Sequence, residues 1–348
     1  PTGTHWYHSH MGDQRDKGIL GALIVLEEKL PEEFPKVLDS PKEHVIAIQD
    51  NLTKLNIAKP GCEPDGSVTP ESDFEIIRWV INGKELPTKI AEPNTELEPL
   101  FQVKPGQQYR FRIIGAMKAI VLRMSIDKHE LDVISSDGYL TKNYSTDLLI
   151  IHVGERYDVI PRGKTKPLDG QVFLIRIESV AVHCNDFSVP VAAGYAYLKY
   201  SKNLNNNNAE NIKVIRNDNR CRDGNHCVAL NCPFYEYPNE HHRTDISCFS
   251  VNELELLKPT SAIDLPKIEN VEEYFFNFDF PHHVHHTKAM VNGVQFVLPS
   301  KFPFVNPERK TPNEKCHYKC IDREFTDLQI YLCKTCSHTV RVPPKEID

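Results

Sequence analysis

The sequence predicts an all-β protein built from β-sandwich domains, and three observations carry that expectation. Short runs rich in β-branched and aromatic residues recur along the chain: HVIAIQD from His44, EIIRWVING from Glu75, QYRFRII from Gln108, LLIIHV from Leu148, GQVFLIRI from Gly170 and AGYAYLKYS from Ala193. Proline and glycine punctuate them, which suits turns between short strands. No stretch sustains a long amphipathic period of 3.6 residues, so helices are not expected to carry the fold.

Two segments echo each other. VINGKELP at Val80 to Pro87 resembles MVNGVQFVLP at Met290 to Pro299. Each sets Asn-Gly between apolar runs, the strongest short-range signal of a tight hairpin. Two copies a domain's length apart suggest two copies of one domain. The 348 residues leave room for two or three domains.

Charge and hydropathy exclude two classes of partner. A formal net charge of −7 gives no basic field for nucleic acid. The longest apolar run, Ile19 to Leu26, is too short to span a bilayer as a helix.

The chain opens PTGTHWYHSHMGDQRDKGILGALIV. The aromatic run between Gly3 and Gly12 reads as a strand, with a second starting at Gly18. Side chains on a strand alternate, so Trp6, His8 and His10 share one face and His5, Tyr7 and Ser9 the other. His8 and His10 can therefore reach a common point, which His5 cannot do without a bulge. Neutral imidazole suits copper, zinc and iron, so the pair is half of a metal site.

The ten cysteines fall mainly in two groups, Cys221, Cys227, Cys232 and Cys248, then Cys316, Cys320, Cys333 and Cys336, with Cys62 and Cys184 apart. An even count in loop-like sequence suggests disulfides and an oxidising compartment, with the connectivity open. Asn51-Leu-Thr53 and Asn143-Tyr-Ser145 are glycosylation sequons and point the same way. The spacing of Cys316, Cys320, Cys333 and Cys336 also fits zinc, but the secretory features favour paired disulfides.

Gly-Thr-His-Trp-Tyr-His-Ser-His, with Gln14 four residues past His10, resembles the second histidine motif of multicopper oxidases, the laccase-like enzymes of invertebrates most of all. FQVKPGQQYRFRIIGA, MSIDKHELDVISSDG and IIHVGERYDVI follow in that family's order, and CVALNCPFYEYP and EEYFFNFDFP resemble its approach to a third domain. The resemblance implies tandem cupredoxin-like Greek-key β-sandwich domains, one complete and two partial. The C-terminal part of domain 1 falls at 1–42, domain 2 at 43–200, a Cys-containing linker at 201–268 and the N-terminal part of domain 3 at 269–348.

The resemblance also implies a function. The family oxidises phenols and catechols one electron at a time and reduces dioxygen to water, using type 1, type 2 and type 3 copper. His8 and His10 map onto ligands of the type 3 pair, with Trp6 and Gln14 as groups that orient the strand. The partners are then dioxygen and a small phenolic reductant, outside the cell. The family's other ligand motifs, His-Trp-His-Gly, His-Pro-x-His-x-His-Gly and His-Cys-His, are not in this sequence. The expectation is an internal portion of a longer oxidase that cannot assemble the whole centre alone. A ferroxidase of the same family and a non-catalytic cupredoxin-like protein stay open.

Several features read as structural. His283 and His285 share a face if extended, but lack the family's following glycine. His129 in SIDKHE is expected to pack inside the middle domain. Ser136 to Gly138 reads as a turn, and GERYDV as a structural salt link, Arg156–Asp158 or Glu155–Arg156. The pocket carboxylate of fungal laccases would fall near Ala119, which is not acidic.

Overall fold

The computed structural model describes residues 2–26, 43–55, 74–92, 99–118, 120–179, 192–204, 214–217, 221, 226–232 and 246–257, and the short strands of the C-terminal region. The chain divides into two compact units, Pro1–Ser261 and Ala262–Asp348. The described residues are strands, turns and one 3-10 turn, Val251–Glu253, which Ser250 and Glu253 cap reciprocally. No helix among them is long and apolar enough to cross a membrane.

The first unit begins with a hairpin of β1 (Gly3–His8) and β2 (Leu20–Val25). Next come β3 (Glu43–Leu55), β4 (Phe74–Ile81), β5 (Lys84–Glu85), β6 (Phe101–Val103), β7 (Arg110–Gly115), β8 (Leu122–Ile126), β9 (His129–Ser136) and β10 (Tyr139–Thr146). The unit continues with β11 (Leu148–Ile151), β12 (Arg156–Gly163), β13 (Val172–Ser179), β14 (Ala193–Tyr200), β15 (Val214–Ile215), β16 (Cys227–Leu230) and β17 (Ile246–Phe249). They form a seven-stranded sheet, β10-β9-β12-β7-β3-β4-β5, and an eight-stranded sheet, β17-β16-β11-β8-β13-β14-β6 with β15 beside β13. The six β-rich runs singled out between His44 and Ser201 lie mainly in β3, β4, β7, β11, β13 and β14.

Strand alternation builds the core between the two sheets. Ile46 and Ile48 of β3, Phe111 and Ile113 of β7, and Leu131 and Val133 of β9 turn inward. They meet Leu122, Met124 and Ile126 of β8 and Ile175 and Ile177 of β13. This is a two-sheet sandwich whose inner faces meet through these side chains. β7 and β13 are buried along their whole length, so their outer faces are covered too. On the seven-stranded sheet, Ala47, Ile114 and Ala116 face outward, under Trp6, Leu20 and Ala22 of the N-terminal hairpin.

Turn chemistry fixes the register. Asn82 and Gly83 have φ of 50° and 78° and join Ile81 to its partner Lys84; Asp137 and Gly138, at 49° and 88°, join Ser136 to Tyr139. Both are two-residue turns with positive φ at both centres, the geometry that matches strand twist.

The stretch 201–268, expected as a linker, contributes strands. β15 pairs parallel with β13, β16 with β11, and β17 with β16. The apolar runs Cys227–Leu230 and Ile246–Phe249 are too short to register as elements by themselves. Disulfides Cys221–Cys227 and Cys232–Cys248 hold them against Leu148 and Ile150.

In the second unit, β18 (Phe278–Asp279), β19 (Met290–Val291) and β20 (Val294–Gln295) pair as an antiparallel sheet. Val291 pairs with Val294, the register of Ile81 with Lys84, with Asn-Gly again between the partners. β21 (Ile321–Phe325) and β22 (Leu328–Leu332) form a further hairpin. His283, His285, Cys62, Cys184, Cys316, Cys320, Cys333, Cys336 and Ala119 lie outside the described residues.

Candidate functional site

β1 ends at His8, and the ladder closes one residue later where the Ser9 amide donates to the Ile19 carbonyl at 2.9 Å. His10 follows in the turn leading to β2. The His8 and His10 rings nevertheless lie side by side, with centroids 5.9 Å apart and planes inclined by 31°. The Trp6 ring covers His8 from the same face, with centroids 4.4 Å apart. The structure thus brings together the two histidines and the tryptophan that the alternation pattern grouped.

The tautomer of His8 follows from its partner. Its Nδ1 lies 2.9 Å from the Ser9 carbonyl oxygen, which only accepts, so Nδ1 carries the proton. The Nε2 lone pair is left for a Lewis acid, the arrangement common in metal-binding histidines. Gln14 reaches neither imidazole. Its Oε1 accepts from the Ser9 hydroxyl at 2.5 Å, fixing the residue between the two histidines. His5 turns to the other face, with its Nε2 3.2 Å from the Thr2 carbonyl and its ring over Gly138.

The turn after His10 is held from several sides. Asp13 and Lys17 pair at 2.8 Å, and the Lys17 ammonium keeps the Asp13 carboxyl below the usual carboxylate range. Lys118 donates to Asp16 at 2.6 Å, and the Gln49 amide donates to the Arg15 carbonyl at 3.3 Å. Both contacts anchor the turn on the sandwich.

Two imidazoles fit copper by donor chemistry, but they are a partial ligand set. Among the described residues no group of three or more His, Cys, Asp and Glu side chains could hold a metal ion. His129 is no ligand candidate. It is buried, with Nδ1 2.9 Å from the Asp127 carbonyl and Nε2 2.9 Å from the Tyr200 hydroxyl.

The salt links expected in GERYDV are replaced by others. Glu155 lies in the turn just before β12, which Arg156 opens, and the two side chains take different partners. Arg156 pairs with Asp137 at 3.0 Å, and Glu155 accepts from Asn231 at 2.7 Å. Asp158 is claimed by Arg110 across β12 and β7, at 2.5 Å from Nη2. The sequence reading missed this cluster. Arg110 and Arg112 alternate with Phe111 and Ile113, a pattern that carries no local sign of a covered outer face. The hairpin that covers them is distant in sequence.

Residues 64–203 match the multicopper oxidase family, and residues 1–30 match a second description of that family. Laccase-3 of Thanatephorus cucumeris is 32% identical over 169 residues, covering 48% of this chain and 28% of the relative. An iron transport multicopper oxidase of Candida albicans is 25% identical over 203 residues, covering 58% of this chain and 29% of the relative. The chain spans less than a third of the length of either relative. Among solved structures, the laccase of Botrytis aclada aligns at 24% identity with a TM-score of 0.40, over 66% of this chain and 43% of that one.

Proposed function

Since the chain belongs to the multicopper oxidase family, we propose that it is part of a laccase-type oxidase that takes electrons singly from phenolic or catecholic reductants and reduces dioxygen to water. Four one-electron oxidations and four protons balance the reduction of one dioxygen to two waters. The observation that carries the reading is the His8–His10 pair, with His8 Nε2 left free by the bond from Nδ1 to the Ser9 carbonyl.

In this reading His8 and His10 hold two positions of a type 3 copper pair, and further ligands come from elsewhere in the protein. Copper, when bound, supplies the one-electron redox chemistry that oxygen reduction needs. The chain's own residues orient the donors. Ser9 fixes the His8 tautomer, Gln14 fixes Ser9, and Trp6 shields one face of the His8 ring. Residues 1–42 are the end of a first cupredoxin domain in this proposal, 43–200 a second, and 269–348 the start of a third. The disulfides and the exposed sequon residues Asn51 and Asn143 support an extracellular location.

Similarity to iron transport oxidases favours a second reading, in which Fe(II) is the reductant. Oxygen uptake by the complete copper-loaded protein, driven by catechol and by Fe(II), separates the two through the ratio of kcat/KM. In the same protein His8→Ala and His10→Ala each abolish oxygen uptake and leave the blue type 1 absorption in place. Loss of the blue colour with oxygen uptake intact would overturn the assignment of the pair.

A further inference from the structure

A two-stranded hairpin is marginal by itself, so the placement of β1 depends on what it rests upon. Its even-numbered face lies on the outer side of the seven-stranded sheet. Trp6 packs on Ala47, Ile114 and Ala116. Two residues earlier, Thr4 enters a buried charge cluster. Thr4, Arg110 and Arg112 are each 1% exposed and Asp158 is 0%.

The bonding in this cluster is specific. Asp158 Oδ2 accepts from Arg110 Nε at 3.1 Å and Nη2 at 2.5 Å. Arg112 is held by Glu43 through Nε at 2.9 Å and Nη2 at 2.8 Å. Asp158 Oδ1 accepts from the Thr4 hydroxyl at 2.6 Å, and the same hydroxyl accepts from Arg112 Nη1 at 2.9 Å. One hydroxyl thus serves as donor to the anion and acceptor from the cation. Arg156 Nε adds a bond to the Thr4 carbonyl at 3.2 Å.

The register is guarded next door. Gly3 has φ of 106°, and a Cβ there would lie 2.7 Å from Gly138 Cα and 2.8 Å from the Gly138 carbonyl oxygen. A slip of β1 by two residues that brought Thr2 to Asp158 would press Pro1 against Gly138, and the opposite slip would bring Trp6 to Asp158 and His5 against Gly138. The close approach admits glycine only, so the strand has one seat.

We propose that Thr4 is a positioning residue: its hydroxyl, seated between Asp158 and Arg112, sets the place of the His8–His10 pair on the sandwich. Thr4, Trp6 and His8 share one face of one strand, and His8 lies about 13 Å from Thr4 at ordinary strand rise. Removing the hydroxyl leaves a buried carboxylate oxygen and a guanidinium N–H without their partner, which favours lifting the strand to admit water. The proposal rests on the copper reading of the histidines for its consequence, though not for its geometry.

The test uses Thr4→Val, which keeps shape and loses the hydroxyl, and Thr4→Ser, which keeps it. Cu(II) affinity is measured on the 348-residue chain by competition with a chelator, alongside the imidazole NMR resonances of His8 and His10 in the metal-free protein. Thr4→Val weakens Cu(II) about tenfold, the factor that matches the net loss of one buried hydrogen bond to a charged group. It also shifts both imidazole resonances, and Thr4→Ser restores both readouts. Ile177→Val, in the core far from β1, lowers the thermal midpoint without changing either. Unchanged affinity and resonances in Thr4→Val, or equal changes in Ile177→Val, overturn the proposal. The paired variant His8→Ala/His10→Ala tests the copper reading separately. If it binds Cu(II) as wild type does, that reading fails and positioning stands or falls on the resonances alone.

Discussion

Two elements are appended to the sandwich, and they are attached by different physics. The β1–β2 hairpin lies on the outer face of the seven-stranded sheet and is keyed by Thr4 into buried charge. Strands β16 and β17 extend the edge of the eight-stranded sheet and are held by two disulfides over a small apolar cluster. A disulfide limits the unfolded chain and fixes the separation of only the two residues that it joins. A hydroxyl shared between a carboxylate and a guanidinium is sensitive to both distance and angle. The covalent device suits a region that must only stay in place. The polar device suits a strand whose side chains must be placed accurately.

The largest effect should come from breaking the polar attachment at its anion. Asp158→Ala leaves Arg110 and Arg112 buried with their shared carboxylate gone, although Glu43 still faces Arg112. Loss of one partner from a buried ionic cluster costs about 3–5 kcal/mol. Urea unfolding of the chain should show that loss, and hydrogen exchange should show Trp6 to His8 opening ahead of Val228 to Leu230. Equal protection of the two segments would mean that the cluster stabilises the sandwich and does not locate the hairpin.

The covalent attachment gives the next effect. Cys232 and Cys248 close a loop of sequence separation 16. The chain-entropy account assigns about 3 kcal/mol to a loop of that size. The double variant Cys232→Ala/Cys248→Ala should lose that much stability. It should expose β16 and β17 to exchange and leave the His8 and His10 resonances unchanged. A shift of those resonances would couple the two appended elements and end the contrast drawn between them.

What the sequence disclosed follows the same division. Local signals were legible. The alternation in Thr4–His8 grouped Trp6 with His8, Asn82-Gly83 and Ser136–Gly138 announced their turns, and the apolar runs located the strands. Non-local completion was hidden. Asp158 could not be paired with Arg110, or Thr4 with Asp158, because the partners are separated by 48 and 154 residues. Strands of four residues such as β16 carry too little pattern to outweigh the Asn-rich segment before them. The pairing of Cys232 with Cys248 needed the parallel strands β16 and β17 that bring them together.

The smallest effect concerns a group between the two sheets. His129 opens β9 in the seven-stranded sheet, stacks on Tyr200 of β14 and meets Phe173 of β13 edge-on. Burial pushes the Tyr200 hydroxyl up to about 12, so it stays protonated and donates to His129 Nε2, while Nδ1 donates to the Asp127 carbonyl. Both ring nitrogens are thereby satisfied in the neutral form. Burial lowers the His129 pKa from its ordinary 6.5, outweighing the Asp127 carbonyl and carboxylate that raise it. The unfolded chain therefore binds a proton more readily than the folded one. Stability from this group is complete above about pH 6.5 and falls as pH drops through the window between the unfolded and folded values. His44, also lowered by burial, adds a slope of the same sign. Urea midpoints of wild type and His129→Gln between pH 8 and pH 5 should converge on acidification, because only wild type carries the His129 share of the slope. Because His129 belongs to the shared core, the loss should appear equally in exchange at β1 and at β16. Parallel pH curves for the two proteins would show that His129 takes up its proton in place, with Tyr200 turning to accept it.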